Sequence, residues 1–572
     1  MTTKNIVLKS AICALALWGT SCKDFLQEDS DSVVTGKEFY SSLGDAYAVK
    51  AGLYSTMQKT TEYAYVWGEV RGDLLAEGPG LNSNNDLKSI FKFEGFENSK
   101  YLNVAEYYNL IQQCNEALEH FGKMGEVVPE MIADGGDLVH QLQSEAIILR
   151  AKCYFDMIRT FGDVPFSLKP INDVNDNTDV EVFGKDEILN HLEKDLLWAV
   201  NYVFDSMTDV RVDDLTNGTT LDFVEDGEVL RTIYRWNDAL GREWNRTTVN
   251  MAYGRALLGD IYMFRQKYTA AVEQYELIEL NGGNNEVQLQ RKAVDYEWFN
   301  FLEPSGSSNP RSAGTSTSGT SAGNNGIGGG SDWLRRIFTD NGVSAKADCE
   351  LVFYLRYDDK YRQTNFYHQY FLPEANGGDY YFTPADASLS VWDGDTYRGE
   401  GHSFKLDTMG TTIYPVVWKF LANAAGKDYR INDDGNFLSD ISYFVKRVAD
   451  CQLKAAEAYN RLGQRGKAVN ILNNIVRKRV SEEKAPITET STMEEIEDVI
   501  FNERQLELAY EGERWFDLVR FAKRRGPAFL ANRVANRMSD PAEQDRVRNY
   551  LMTEDNWYLP MEHGGTNIIQ IN

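Results

Sequence analysis

The stretch LLGDIYMFRQKYTAAVEQY (residues 257–275) decides the fold, because it has the pattern of two short helices that pack closely together. Leu258, Gly259 and Tyr262 recur at helical spacing in its first half, and Ala271 and Tyr275 do so in its second half. The small residues let two antiparallel helices approach, while Tyr and Leu side chains fill the space between them. We therefore expect a helical hairpin here.

The same spacing recurs near the C-terminus, at Ala455, Ala456, Tyr459, Ala468 and Leu472. Both copies reproduce the offsets of the tetratricopeptide (TPR) helical hairpin. Two looser pairs of helices precede them, at Leu43 to Gln58 with Asn103 to Phe121 and at Asp137 to Phe161 with Lys185 to Phe204. The sequence predicts a mostly α protein in which four TPR-like hairpins form the scaffold.

An insertion from Asn281 to Ile441 separates the third and fourth hairpins and differs from them in composition. Between Ser305 and Ser331, Gly and Ser supply 16 of 27 residues, which indicates a loop too entropic to pack. Short runs of β-forming and aromatic residues follow, LVFYLRY (351–357) and YYFTPAD (380–386), so the insertion is predicted to be irregular and partly β. Farther on, the apolar residues of the amphipathic stretch Met493 to Phe521 recur at helical spacing, which predicts core-forming helix.

The length and net charge of the chain exclude some classes of protein and of binding partner. The chain has 572 residues and a formal net charge of −27, so most of its surface repels polyanions and nucleic acid is excluded as a partner. The hydrophobic fraction of 42%, with 31 Tyr, 28 Phe and 11 Trp, is too apolar for disorder. These values indicate a globular, acidic, aromatic-rich protein.

The N-terminus has the layout of a secretory signal peptide, with Lys4 and Lys9 before an apolar run and small residues before Cys22. We expect residues 1–21 to be removed and Cys22 to carry the lipid of a bacterial lipoprotein; the alternative is ordinary cleavage nearby. Gly19 departs from the aliphatic residue usual three positions before such a Cys. The lipid on Cys22 would then attach the protein to the membrane.

The sequence contains few motifs that would indicate catalysis or the binding of a metal or nucleotide. Gly319 to Gly323 matches G-x-S-x-G but lies in low-complexity sequence, without the strand and helix that a nucleophile elbow needs. Motifs for metals and nucleotides are missing, so no catalytic residue, metal or cofactor is assigned. Asp393 and Asp395 are interpreted as a solvated turn, with a cation or sugar site as the alternative. Cys114, Cys153, Cys349 and Cys451 are expected to be buried free thiols.

Several blocks, in order along the chain, resemble the SusD/RagB family of glycan-binding lipoproteins of the Bacteroidetes outer membrane. They are KDFL after Cys22, LRAKCYFDMIRTFGDVPF (149–166), FVKRVADCQLKAAEAYNRLG (444–463) and NERQLELAYEGERWFDLVRF (502–521). Within the last block, Glu511, Arg514 and Trp515 are expected to lock a helix–loop junction by ion pairing and burial. The Gly/Ser loop is longer than is usual in the family.

This resemblance implies a SusD-like fold with an N-terminal region at 22–230 and a C-terminal region at 231–572 that contains the 281–441 insertion. It implies a non-catalytic, surface-facing outer-membrane lipoprotein that captures oligosaccharide or polysaccharide and delivers it to a SusC-like TonB-dependent transporter. A peptide-capturing RagB-like protein is the alternative, and a glycoside hydrolase is a third. Which glycan is bound is not encoded in any motif.

In the family, the site is built from the loop inside the first hairpin and from the insertion. Here that points to the connections Pro79 to Phe91, Tyr296 to Leu302 and Asp332 to Phe338, because exposed loops carry function. The candidate ligand contacts are Asn82, Asn84, Asn85, Asp86, Trp298 and Trp333. Trp333 is the foremost candidate, since it lies beside Arg335 and Arg336, with Trp392 the next after Trp298.

Overall fold

The computed structural model describes residues 39–131, 138–170, 182–201, 220–225, 228–234, 247–279, 338, 351–395, 398–409, 411–423, 426–432, 434–477 and 486–561. Within these residues the chain is mostly α, as predicted, with small two-stranded sheets. Its α-helices are α1 Leu43–Tyr65, α2 Asn85–Lys92, α3 Ala105–Val127, α4 Leu138–Phe161, α5 Lys185–Ala199, α6 Met251–Phe264, α7 Tyr268–Glu279, α8 Tyr367–Phe371, α9 Asp386–Leu389, α10 Val448–Arg461, α11 Arg465–Asn470, α12 Met493–Leu508, α13 Arg514–Arg525, α14 Pro527–Ala535 and α15 Pro541–Leu551. Its strands are β1 Leu75–Glu77, β2 Val164–Pro165, β3 Val182–Phe183, β4 Thr220–Glu225, β5 Glu228–Tyr234, β6 Leu351–Leu355, β7 Phe382–Pro384, β8 Phe404–Met409, β9 Thr412–Val417 and β10 Tyr443–Arg447.

The four predicted hairpins are present and form a continuous stack. The paired helices are α1 with α3, α4 with α5, α6 with α7, and α10 with α11. Successive hairpins also touch, through α3 and α4, α5 and α6, and α7 and α10. The chain therefore builds its scaffold from nearest-neighbour contacts, which is how repeats of this kind bury a common core.

The third hairpin shows why its small residues matter. A Cβ at Gly259 would lie 2.6 Å from the Tyr275 ring, so only glycine leaves room for that ring between α6 and α7. The Tyr275 hydroxyl in turn donates a hydrogen bond of 2.8 Å to Asp260 on α6. The spacing read from the sequence thus corresponds to direct packing across the hairpin.

The insertion returns to the scaffold through two strand pairs. β6, which lies in the predicted LVFYLRY run, pairs antiparallel with β10 immediately before the fourth hairpin. β7 pairs antiparallel with β1, with Leu75 opposite Pro384 and Glu77 opposite Phe382. Because β1 lies inside the first hairpin, this second pair joins the first-hairpin connection to the insertion.

The core-forming helix predicted from Met493 to Phe521 is present and is divided in two. The stretch forms α12 and α13, and the chain breaks between them with left-handed φ angles of 68° at Tyr510 and 93° at Gly512. The buried Glu69 carboxylate accepts backbone hydrogen bonds from Tyr510 (3.0 Å) and Gly512 (2.9 Å). These contacts stabilise the break, which helical periodicity alone does not reveal.

Glu511, Arg514 and Trp515 were predicted to lock this junction by ion pairing and burial, and the structure shows both. Glu511 accepts hydrogen bonds from Lys419 (2.8 Å) and from Arg447 (2.7 Å), and all three side chains are buried. Arg514 pairs with Asp73 at 2.6 Å, and Trp515 is 0% exposed. Arg514 and Trp515 thus hold the C-terminal block against the first hairpin, and Glu511 joins it to Lys419 in the insertion and to Arg447 in β10.

The cysteine prediction is confirmed for Cys114, Cys153 and Cys451, which are buried and free. Cys349 and the lipidation candidate Cys22 lie outside the described residues. No described helix combines the length and the apolar composition needed to cross a membrane.

Candidate functional site

The predicted Asn-rich connection is a short helical segment, only part of which is exposed. Residues Pro79–Ser83 form a 3-10 turn and lead into α2, while Leu81, Leu87, Ile90 and Phe91 are buried. The connection Pro79 to Phe91, predicted to supply exposed platforms, is therefore exposed only in part, because several of its side chains join the core. Its polar residues remain at the surface.

Those polar residues are held in defined positions. Asn84 caps α2, with its side-chain oxygen accepting the backbone N–H of Leu87 at 3.1 Å. Asn82 accepts a hydrogen bond from Lys88 (2.6 Å) and donates one to Glu77 (3.1 Å), while Asn85 is exposed. The described structure thus brings three of the candidate side chains together along one edge of α2.

Asp86 contacts the segment that precedes α3, at Ser99 and Lys100. Its carboxylate accepts the backbone N–H of Lys100 at 3.1 Å, and its backbone carbonyl accepts the Ser99 hydroxyl at 3.1 Å. These bonds fix Asp86 in a half-exposed position beside the end of α1. Trp298 and Trp333 lie outside the described residues, so their place relative to Asp86 stays a prediction.

The insertion reaches this edge through the turn before β7. A Cβ at Gly80 would lie 1.7 Å from the carbonyl oxygen of Asp379, so the two connections touch at their backbones. Tyr381, which follows, is half-buried, and its hydroxyl interacts with the Asn84 and Asp379 side chains. The first-hairpin connection and the insertion therefore form one surface, as the resemblance implied.

The sequence analysis missed a second part of this surface, at the C-terminal end of α1. One oxygen of the half-exposed Glu62 carboxylate, Oε1, accepts hydrogen bonds from Tyr101 (2.6 Å), Tyr370 (2.9 Å) and Lys100 (3.3 Å). Both tyrosines are buried. Tyr370 comes from the insertion, so Glu62 is fixed by residues from both sides of the junction.

The neighbouring Tyr63 is also half-exposed, and its ring meets that of Tyr101 edge to face at 5.6 Å. Partial burial raises the pKa of Tyr63, and the carboxylates of Glu62, Glu106 and Asp86 raise it further. Partial burial likewise raises the pKa of Tyr381, with Asp379 and Glu62 acting in the same direction. Both hydroxyls therefore stay protonated in a negative local potential.

We call the surface formed by Glu62, Tyr63, Asn84, Asp86 and Tyr381 the tyrosine patch. It offers two half-exposed aromatic rings flanked by carboxylate and amide groups, which is a combination suited to polar ligands with apolar faces. Few features of the sequence pointed to the residues of this patch. Tyr381 belongs to the aromatic run already noted, whereas Glu62 and Tyr63 are simply the end of a helix.

Other candidate positions belong to the core. Asp395 is buried and pairs with Arg398 at 2.7 Å, and Arg398 also contacts Glu503 at 2.6 Å and Glu507 at 3.2 Å. The interpretation of Asp393 and Asp395 as a solvated turn is therefore wrong for Asp395, because α12 supplies carboxylates that complete a buried ion cluster.

Trp392 is 4% exposed and packs against Phe404 and Tyr510, so it is a core residue. Phe338 is also buried, with its ring 4.8 Å from that of Phe444. The end of the Asp332 to Phe338 connection therefore contributes to packing.

Two clefts elsewhere in the described structure flank Arg159, Glu513 and Phe516, with volumes of about 40 Å³ and about 30 Å³. An apolar cavity that accepts benzene has a volume of about 150 Å³, so these clefts suit water rather than a sugar ring. Among the described residues, no group of three or more His, Cys, Asp or Glu side chains is arranged to hold a metal ion.

Comparison with known proteins agrees with this architecture. Residues 300–567 match the model of the SusD family. SusD-like protein P2 of Formosa agariphila is 21% identical over 95% of both chains, and SusD-like protein P38 of the same organism is 23% identical over 88% of both. The resemblance to the SusD/RagB family seen in the sequence is confirmed by these matches.

Solved structures show the same fold. A SusD superfamily protein from Bacteroides vulgatus aligns with a TM-score of 0.62 at 16% identity, covering 93% of this chain and 98% of that one. Surface glycan-binding protein A from Bacteroides uniformis aligns with a TM-score of 0.60 at 16% identity, covering 91% and 96%. A laminarin-binding SusD-like protein aligns with a TM-score of 0.56 at 18% identity, covering 93% and 98%.

Proposed function

We propose that this protein is a non-catalytic glycan-binding lipoprotein of the outer-membrane surface. It captures oligosaccharide or polysaccharide and passes it to a SusC-like TonB-dependent transporter. The observation that carries the proposal is the tyrosine patch, where the first-hairpin connection and the insertion meet in a chain with a SusD-like fold. A laminarin-binding SusD-like protein and a surface glycan-binding protein share this fold, which agrees with a carbohydrate ligand.

The chemistry of the patch favours binding over catalysis. Sugars present apolar faces that stack on aromatic rings and hydroxyls that hydrogen-bond to carboxylates and amides. Tyr63 and Tyr381 supply the rings, and Glu62, Asn84 and Asp86 supply the polar groups. Asn84 and Asp86 are already engaged with backbone N–H groups, so they are positioned side chains rather than proton carriers.

A glycan array with the soluble chain that begins after Cys22 tests this function. Hits are then incubated with the protein, and newly formed reducing ends are measured. We expect binding to a related set of glycans with no new reducing ends. Binding to peptides alone would favour the RagB-like alternative, and new reducing ends would revive the glycosidase.

A separate experiment tests whether the protein delivers its glycan to a transporter. In detergent extracts of the native outer membrane, the lipidated protein is expected to co-purify with a TonB-dependent transporter. Purification of the protein free of any outer-membrane transporter, in extracts where known transporter complexes survive, would contradict this part of the proposal.

A further inference from the structure

The Glu62 carboxylate has one oxygen fully engaged and one open. Oε1 accepts from Tyr101, Tyr370 and Lys100, while no described residue donates a hydrogen bond to Oε2. The side chain is 29% exposed, so part of it is accessible from solvent. A charged acceptor that is already held in one orientation needs little further ordering when a hydroxyl binds to it.

The surroundings of Glu62 are acidic. Asp86 lies close enough to Tyr63 and Tyr101 to raise the pKa of both hydroxyls, and Glu106 raises that of Tyr63. Asp379 interacts with Tyr381 on the other side. The Lys100 ammonium lies against Glu62 and over the Tyr101 ring at 4.9 Å. The carboxylates of Glu62, Asp86, Glu106 and Asp379 thus act on the tyrosine hydroxyls of the patch, and the Lys100 ammonium is paired with Glu62.

We infer that the tyrosine patch selects uncharged glycans and that the open oxygen of Glu62 is a fixed acceptor for a glycan hydroxyl. This inference rests on the proposed function and specifies its substrate class. A uronate or sulfate group would approach like charges at the patch, and repulsion between close charges weakens binding. A neutral chain meets no such cost and gains a charge-assisted hydrogen bond.

Direct comparison of neutral and acidic polysaccharides tests the charge selection. Laminarin, xylan and galactomannan serve as neutral probes, and polygalacturonate and alginate as acidic ones, in affinity electrophoresis and calorimetry. We expect at least one neutral probe to bind at least tenfold more tightly than either acidic probe. Equal or tighter binding to an acidic probe would overturn the inference while leaving glycan capture intact.

Glu62→Gln tests the acceptor. Its remaining oxygen still accepts from Tyr101 and Tyr370, but an amide N–H₂ replaces the open oxygen. We expect at least a tenfold loss of affinity for the neutral probe with an unchanged melting temperature. Affinity within twofold of the wild type would overturn the role of Glu62.

Glu119→Gln is the matched control, because Glu119 is a partly exposed carboxylate on α3, paired with Lys123. It follows Glu106 by thirteen residues, or about 20 Å along the helix. This variant should bind as the wild type does. If the Glu62 variant does not fold, the affinities of the wild type for neutral and acidic polysaccharides still show whether the patch selects uncharged glycans. Failure of every glycan to bind would refute the proposed function and this inference together.

Discussion

Replacement of Trp515 by alanine should destabilise the fold without affecting the ligand surface. The indole is 0% exposed, the Arg71 guanidinium lies 4.0 Å from its ring centroid, and the Phe93 ring lies 5.6 Å away. Its ring nitrogen has no hydrogen-bond partner among the described residues, so Trp515→Ala removes packing and leaves no acceptor unpaired. Truncation of a buried Trp typically costs about 3–5 kcal/mol.

The structure suggests the upper part of that range. Burial lowers the pKa of Arg71 to about 9, and this guanidinium would lose the ring on which it stacks. With an unfolding entropy of about 2.1 cal/mol/K per residue, a cooperative chain of this length loses roughly 1 °C of melting temperature per kcal/mol. The expected drop in melting temperature is therefore about 4 °C.

Thermal unfolding by circular dichroism and glycan affinity of the folded fraction together provide the assay. Trp198→Ala serves as the control, because Trp198 is only partly buried and lies on α5. It should lower the melting temperature less. An unchanged melting temperature with lost affinity in Trp515→Ala would refute the reasoning and place this indole in the ligand site.

Three other substitutions test separate parts of the account. Cys22→Ala should leave a folded protein that is no longer attached to the membrane; finding it in washed membranes of cells lacking the transporter would contradict lipid anchoring. Trp333→Ala should weaken glycan binding at least tenfold, about 1.4 kcal/mol, at an unchanged melting temperature, and full affinity would move the test to Trp298. Burial alone would raise the pKa of Glu457, but Arg520 and Arg524 hold it at about 2, below the ordinary 4.5. Its contribution to stability is therefore present above about pH 4.5 and lost as the pH falls toward 2, so the difference in melting temperature between the wild type and Glu457→Gln should shrink over that pH range. A constant difference would contradict the pairing.

The scaffold was predictable because its determinants are local. The contact between Gly259 and Tyr275 joins residues 16 positions apart, and the small and large side chains that create it recur at a fixed spacing. Burial of Trp515 was predictable for the same reason, since helical periodicity assigns it to an apolar face. Secondary structure that depends on near neighbours can be inferred from one sequence.

The errors came from contacts between distant residues. The break between α12 and α13 depends on Glu69, which is 441 positions from Tyr510. Asp395 was expected in solvent because the ion cluster around its partner Arg398 is completed by Glu503, more than 100 residues later, which is not visible in the local turn pattern. Periodicity carries no information about such contacts.

The candidate site was predicted in part. Asn82, Asn84, Asn85 and Asp86 do lie where the insertion meets the first hairpin, although none has yet been tested as a ligand contact. Glu62 was missed because its significance arises only when tertiary folding brings Tyr101 and Tyr370 to the same oxygen.

The measurement that tests the central claim most directly is a crystal structure of the soluble chain with an oligosaccharide identified on the glycan array. We expect the sugar at the tyrosine patch, with a ring against Tyr63 or Tyr381 and a hydroxyl within about 3 Å of the open oxygen of Glu62. A sugar bound elsewhere, for example on the outer face of the helical hairpins, with the patch still in solvent would contradict the account.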